Sequence, residues 1–177
     1  MWSIDLQTLE WTYEGGPLEV NVPAVPPTSL GVDSVGAWPG ARDDAHYWVS
    51  STGEFLYLWG GFGYATVGEE GQPATVLSGL NDVWRYNPTT GLWALLNRGD
   101  SSGAPVYPSS IGTPIRALSP GPRDDGMSFG VGDSAVHFGG AGLALDGSFA
   151  AFSDQWLWDS SVNAFFWIDG AEVPNAY

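Results

Sequence analysis

Residues 39–61 read PGARDDAHYWVSSTGEFLYLWGG, and residues 120–140 read PGPRDDGMSFGVGDSAVHFGG. Both stretches begin with a Pro-Gly-x-Arg-Asp-Asp motif and end with two glycines that follow an apolar run. The arginines of the two motifs, Arg42 and Arg123, lie 81 residues apart. A motif that recurs at such a distance indicates a tandem structural repeat.

Two further elements recur after each double glycine, an Asp-x-Trp step and then a second Trp beyond a short turn. The N-terminus carries the last part of another copy, because Trp2 and Trp11 have the nine-residue spacing of Trp84 and Trp93. The residues of the repeat motif are Arg42, Gly60, Gly61, Asp82, Trp84, Trp93, Arg123, Gly139, Gly140, Asp154, Trp156 and Trp167.

Each complete copy predicts four strands. The chain holds 25 Gly, 13 Pro and 10 Trp, and no long stretch has the apolar spacing of a helix. Four antiparallel strands repeated in tandem form the blades of a β-propeller. We therefore predict an all-β fold of about two and a half blades, an incomplete propeller. The predicted strands are 1–6 and 9–14 in the first copy, 44–50, 54–60, 82–87 and 91–97 in the second, and 125–131, 133–139, 154–159 and 164–169 in the third.

The pattern resembles the kelch repeat, as in the central propeller of galactose oxidase-like proteins, in the long-loop form of bacterial arrays. The residues that carry the resemblance are the Pro-Gly-x-Arg motif, the double glycine, the stretch LNDVWRY at 80–86 and the closing tryptophan. The third copy departs from the pattern at residues 153, 157 and 158, where Ser, Leu and Trp replace Asn, Arg and Tyr. The resemblance implies one kelch-type segment over 1–177, with two strands at 1–16, complete blades at 39–99 and 120–170, and a tail at 171–177.

The resemblance also implies a structural role for the repeat arginines and aspartates, as partly buried groups that satisfy loop backbone between neighbouring blades. It does not extend to oxidase chemistry, because the copper site of galactose oxidase needs a Tyr–Cys crosslink and the chain has no cysteine. His46 and His137 stand where the other copy has an apolar residue, so we expect packed or partly exposed structural histidines. The recurring Asp-Asp pairs match no calcium loop. We predict no catalytic residue, no metal and no cofactor.

The composition excludes several kinds of partner. Five basic residues face 20 acidic ones, for a formal net charge of −15. Nucleic acids and anionic membrane surfaces need clustered basic residues, so neither is an expected partner. No apolar segment is long enough to span a bilayer and no signal peptide is visible, so we expect no membrane insertion. The charge favours solubility, and the sequence assigns no compartment.

Four long connections, 14–38, 62–79, 98–119 and 141–152, are expected on one face of the propeller, since they join second to third strands or one blade to the next. Loops of this length are often functional. We predict a non-catalytic binding or scaffold module that engages a protein or glycan partner through this face. Three alternatives stay open: aromatic residues that merely pin the loops to the blades, a propeller enzyme whose catalytic residues lie outside this chain, and a purely structural module that spaces other domains. The candidate binding residues are Trp38, Phe62, Tyr64, Tyr107 and Phe149.

Two and a half blades do not close a ring, because propellers have four to eight. Three interpretations remain open. The chain is a piece of a longer protein, or copies of it associate to complete a ring, or it is a short open array covered by its own loops.

Overall fold

A computed structural model describes residues 1–64, 77–99, 103–111 and 119–172. This part of the chain is all β, as predicted, and contains no helix that is long and apolar enough to cross a membrane. Parts of the predicted connections 62–79 and 98–119 and most of the tail lie outside the described residues. The described strands are β1 (Trp2–Ile4), β2 (Trp11–Tyr13), β3 (Arg42–Asp43), β4 (His46–Val49), β5 (Leu56–Trp59), β6 (Phe62–Tyr64), β7 (Leu77–Gly79), β8 (Val83–Asn87), β9 (Leu92–Asn97), β10 (Met127–Val131), β11 (Ser134–Phe138), β12 (Ala141–Leu143), β13 (Phe149–Ala151), β14 (Gln155–Asp159) and β15 (Ala164–Asp169).

Two four-stranded antiparallel sheets form the body of the molecule. The central meander has the strand order β4-β5-β8-β9, and the C-terminal meander has the order β10-β11-β14-β15. Each follows the order in which its strands occur in the chain, as the repeat predicts. The predicted strands of both meanders are confirmed, each end to within about two residues. The described residues show no closed ring.

Strands β1 and β2 form a separate two-stranded ribbon, called the N-terminal ribbon here. Its turn has the same chemistry as the turn between the last two strands of each meander. In all three turns a side-chain oxygen, of Asp5, Asn87 or Asp159, accepts a hydrogen bond from the amide two residues later, at 2.7 to 3.0 Å. This local bond lets Asp and Asn favour tight turns. The ribbon therefore corresponds to the last two strands of a meander.

The main core lies between the two meanders, where one face of each sheet packs against the other. Side chains alternate between the two faces of a strand, so each meander contributes every second residue. Trp59 of the central meander and Phe165 of the C-terminal meander have ring centroids 5.0 Å apart. Tryptophan dominates this core, which is made of Trp48, Tyr57, Trp59, Val83, Ala94 and Leu96 from one sheet and Ala135, Trp156, Trp158, Phe165 and Trp167 from the other.

The opposite face of the central meander is covered by the segment 21–41. The backbone amides of Gly31 and Ser34 in this segment donate to carbonyls of β9 at 2.8 and 3.0 Å. The segment therefore pairs with the edge strand of the sheet. Asp33 of this segment forms an ion pair with Arg85, whose guanidinium donates to the Asp33 carboxylate at 2.7 Å. A second, smaller core forms beneath the segment, from Ala24, Ala37, Trp84, Tyr86, Trp93 and Leu95.

Two short hairpins are inserted between the second and third strands of the meanders, where the sequence predicted only long connections. The first hairpin, β6–β7, extends a sheet that begins with β3. The second hairpin, β12–β13, is joined to the chain by a bridge between Asp124 and Ala141. The two attachments correspond, because Asp43 pairs with Phe62 in the first copy. In both copies the inserted hairpin therefore pairs with the Arg-Asp part of the repeat motif.

Candidate functional site: the groove between the inserted hairpins

The repeat arginines and aspartates form two matching ion pairs, one in each copy. Both terminal guanidinium nitrogens of Arg42 donate to the carboxylate of Asp82, at 2.6 and 2.9 Å. Arg123 makes the same two-pronged contact with Asp154, whose second bond is 2.7 Å long. Each arginine also donates to the carbonyl of the first glycine in its Gly-Gly pair, at 3.0 and 2.9 Å. The pairs thus tie each double-glycine turn to the start of the next long strand.

The indoles of the Asp-x-Trp steps complete these clusters. Trp84 donates its Nε1–H to Asp82 at 2.5 Å, and Trp156 donates to Asp154 at 2.8 Å. A charged acceptor shortens and strengthens such bonds. The closing tryptophans, Trp93 and Trp167, are both buried in the cores on either side of the central meander.

The double glycines are required by close backbone contacts. Gly61 and Gly140 have φ angles of +89° and +93°, a region that side chains disfavour. A Cβ at Gly61 would stand 2.4 Å from the carbonyl oxygen of Asp43, and one at Gly140 would stand 2.7 Å from that of Asp124. Any larger residue would push the hairpin away from the motif. The glycines therefore set the position of both hairpins.

A groove of about 210 Å³ separates the two hairpins. Phe62 and Gly79 of the first hairpin line one side, and Leu143 and Phe149 of the second line the other. Phe149 is two-thirds exposed and Phe62 about one-third. The chain between Pro122 and Asp124 also lines the groove. Two of the predicted binding residues, which lie in different copies of the repeat, are thus brought together at one apolar groove.

Phe62 also borders a second recess, of about 370 Å³, which contains Tyr64. Arg42 and Asp43 line this recess together with Asn21 and Leu77. Phe62, Tyr64 and Phe149 therefore belong to one continuous surface made of the two recesses, which we call the hairpin surface. Its aromatic rings offer faces for stacking, and its carboxylates accept hydrogen bonds from hydroxyl or amine groups.

The carboxylate of Asp124 lies at the edge of the groove in an environment that disfavours its charge. Partial burial raises the pKa of Asp124, and repulsion from Asp125 and then from Asp44 and Asp43 adds to the effect. Its Oδ1 is buried and makes no hydrogen bond with described residues. A cationic group in the groove would offset this repulsion.

The other two predicted binding residues lie elsewhere. Trp38 pairs with Val25 within the covering segment and packs against the second core. Tyr107 packs between Trp156 and Trp167, with ring centroids 5.5 and 5.4 Å away. Its hydroxyl donates to Asp154 at 2.6 Å, and burial followed by this bond raises the pKa of the phenol. These two side chains make contacts of the kind that pin loops onto the meanders.

Both histidines are buried at the contact between the meanders, as expected for packed residues. The Nδ1 atoms of His46 and His137 lie 2.9 and 2.8 Å from the hydroxyl of Ser128, which links the two rings. Burial lowers the pKa of His46 to about 4, and it holds the pKa of His137 well below its usual 6.5. Among the described residues, no group of three or more His, Cys, Asp or Glu side chains is arranged to hold a metal ion.

The sequence did not reveal Pro122 and Leu143 as groove residues. The short strands that place the second hairpin, AGL and FAA, have no alternation strong enough to predict it. Asp124 did stand out as part of a recurring Asp-Asp pair, but the repeat alone gave no indication that it would line a groove.

No family model matches this chain, and no curated protein matches it. It is similar to solved structures, and 86 chains match. One of them is titled "Structure of YjhT"; it is 18% identical, with a TM-score of 0.46, over 77% of this chain. The chain spans 40% of the length of that protein. These comparisons assign no family, so membership of the kelch family stays a prediction.

Proposed function

We propose that the two meanders are kelch-type propeller blades, and that the chain is a non-catalytic binding module that engages a protein or glycan partner through the hairpin surface. One observation carries the proposal: Phe62 and Phe149, which the repeat places in separate copies, line the same groove. Exposed aromatic residues that converge on a recess are typical of recognition surfaces.

The electrostatics of the surface narrow the class of partner. The chain has a net charge of −15, and Asp43 and Asp124 lie beside the aromatic residues. An anionic partner, such as a sulfated glycan or a phosphopeptide, would be repelled. A neutral glycan, or a peptide with basic and aromatic side chains, would stack on the rings and donate hydrogen bonds to the carboxylates.

The test is a binding screen with two probes, an array of neutral glycans and a displayed peptide library. The wild-type chain is compared with the double variant Phe62→Ala/Phe149→Ala. The variant Leu145→Ala is the matched control, because Leu145 is an exposed apolar residue at the tip of the second hairpin and outside the groove. We expect ligands that bind the wild-type chain and the control, with at least tenfold weaker binding by the double variant.

Two results would contradict the proposal. In one, the wild-type chain captures no ligand from either probe. In the other, the ligands it captures bind the double variant equally well.

A further inference from the structure

The C-terminal meander has a second apolar face, which the described residues leave exposed at β10 and at Phe138 and half-buried at its other side chains. The register places Phe129, Val136, Leu157 and Phe166 opposite one another in a row across all four strands. Met127 and Phe138 form a pair beside this row. Phe129 and Met127 are each 55% exposed. We call this surface the C-terminal face.

The repeat shows what the C-terminal face is built to contact. Counted from the repeat arginine, Phe129 occupies the position of Trp48, and counted from the double glycine, Phe138 occupies that of Trp59. In the central meander those two tryptophans are buried against the next sheet. The C-terminal face is thus the equivalent of a surface that is covered inside the molecule.

The N-terminal ribbon exposes the complementary surface. Trp2 pairs with Tyr13 across the ribbon, and Ile4 pairs with Trp11, so these four side chains share one face. Trp2 and Trp11 are 60% and 64% exposed. We call this surface the ribbon face.

The ribbon face corresponds to the surface through which the C-terminal meander packs on the central one. There the equivalent cross-strand positions hold other large aromatic pairs: Trp156 lies opposite Trp167, and Trp158 lies opposite Phe165. Those four side chains supply most of one side of the main core. The molecule therefore leaves exposed, at its two ends, equivalents of the two faces that meet in its interior.

We infer that the chain associates head to tail, with the ribbon face of one copy docked on the C-terminal face of a second copy. The contact continues the arrangement of the main core from one molecule to the next. It is a heterologous contact, which builds open chains or closed rings rather than a symmetric pair. It uses neither Phe62 nor Phe149, so it stands independently of the proposed function.

The strength of the contact follows from its size and charge. The ribbon supplies two strands where a meander supplies four, so the interface is of the small, transient class, and we expect a roughly micromolar dissociation constant. Each copy carries a net charge of −15, and the copies repel one another. Added salt screens this repulsion, so association should tighten as ionic strength rises.

The test uses sedimentation velocity and light scattering over a range of concentrations, with one variant for each face. Phe129→Asp damages the C-terminal face and leaves the ribbon face intact. Trp11→Asp damages the ribbon face and leaves the C-terminal face intact. Val35→Asp is the control, because Val35 is an apolar residue that is 90% exposed and belongs to neither face. Near-ultraviolet circular dichroism checks that the variants fold. If Phe129→Asp does not, it is replaced by Val131→Asp, because Val131 lies two residues further along β10, on the same face, and is 59% exposed.

We expect the average mass in solution of the wild-type chain, and of Val35→Asp, to rise with concentration to more than twice 18.8 kDa. Each face variant alone should stay at 18.8 kDa. An equimolar mixture of the two should stop at twice that mass, because each supplies the one face that the other lacks.

Three outcomes would overturn the inference. The first is a wild-type chain that stays monomeric at all concentrations and salt levels. The second is dimer formation by Trp11→Asp alone, which would mean that two C-terminal faces pair symmetrically. The third is an equimolar mixture of the face variants that remains monomeric.

Discussion

The Arg–Asp pairs of the two meanders have the same contacts but lie at different depths. Arg42 and Asp82 keep 6% and 15% of their side chains exposed, whereas Arg123 and Asp154 keep 1% and 0%. The buried pair also has an additional donor, the hydroxyl of Tyr107, which has no equivalent at the central pair among the described residues. Identical motif residues thus acquire different environments from what packs around them.

The position of Arg123 explains its deeper burial. Its backbone carbonyl accepts a hydrogen bond from the amide of Gly61 at 2.7 Å, so it links its own meander to the central one. Its guanidinium lies 3.8 Å from the ring centroid of Phe152. Arg42 instead lines the open recess beside Tyr64. The second pair therefore contributes to the joint between the sheets.

The largest effect is expected from removing one arginine. Arg123→Ala leaves the carboxylate of Asp154 buried without its counter-charge, which costs about 3–5 kcal/mol of unfolding free energy. Arg42→Ala leaves Asp82 partly hydrated, so we expect a loss of about 2 kcal/mol. Urea unfolding followed by tryptophan fluorescence measures both values.

Equal losses of unfolding free energy for the two variants would contradict the comparison, because the burial of the ion pair would then have no effect. The slope of the unfolding free energy against urea must also stay constant, because a change would show that the unfolded or native ensemble has altered.

The two histidines, one from each meander, give the next largest effect. In the folded chain burial keeps both neutral, with the pKa of His46 at about 4 and that of His137 well below 6.5. The unfolded chain binds protons as the pH falls below about 6.5, and the folded chain does not until the pH approaches 4. Stability is therefore fully present above pH 6.5 and declines on acidification, by up to about 1.4 kcal/mol per pH unit for each histidine.

The variant that checks this is His46→Met/His137→Leu, which installs the side chains of the equivalent positions, Met127 and Leu58. We expect a clearly shallower loss of unfolding free energy between pH 6.5 and 5 than in the wild-type chain. If urea unfolding at these pH values gives the same slope for both proteins, the histidines are not the source.

The sequence predicted the parts of the fold that the repeat itself encodes. The long strands and the places of the short turns between them follow from recurring spacings, because the same local pattern must satisfy the same backbone in each copy. The pairing of His46 with His137 could not be predicted, since it depends on how two sheets meet rather than on either strand. The Tyr107 contact has no counterpart among the described residues of the other copy, so no repeated pattern marked it.

The candidate site was predictable only in part. Exposed aromatic residues in the long connections were visible in the sequence, and three of them, Phe62, Tyr64 and Phe149, lie on the hairpin surface. The groove that joins Phe62 to Phe149 depends on short strands rich in glycine and alanine. Such strands are held by their attachment to the repeat motif rather than by their own propensity.

Tyr107→Phe tests the additional donor of the deeper pair. Loss of a hydrogen bond to a buried carboxylate should cost about 1–2 kcal/mol of unfolding free energy, because Asp154 keeps its bonds from Arg123 and Trp156. Tyr47→Phe is the matched control, since the Tyr47 side chain is 68% exposed, and should change the unfolding free energy by less than about 0.5 kcal/mol. Equal effects in the two variants would show that the Tyr107 hydroxyl is not part of the cluster.

The smallest effect distinguishes the equivalent turns of the two meanders. Asp159→Ala removes the acceptor of the turn in the C-terminal meander and should cost about 0.5–1 kcal/mol, which Asp159→Asn should restore because it keeps the oxygen. Asn87→Ala should lower the unfolding free energy by more, because the side-chain amide of Asn87 also donates to the Asp33 carboxylate at 3.3 Å and so helps to hold the segment 21–41. Urea unfolding of the three variants measures the difference. If Asn87→Ala costs no more than Asp159→Ala, the covering segment is held without this contact, through its bonds to β9 and the ion pair between Arg85 and Asp33.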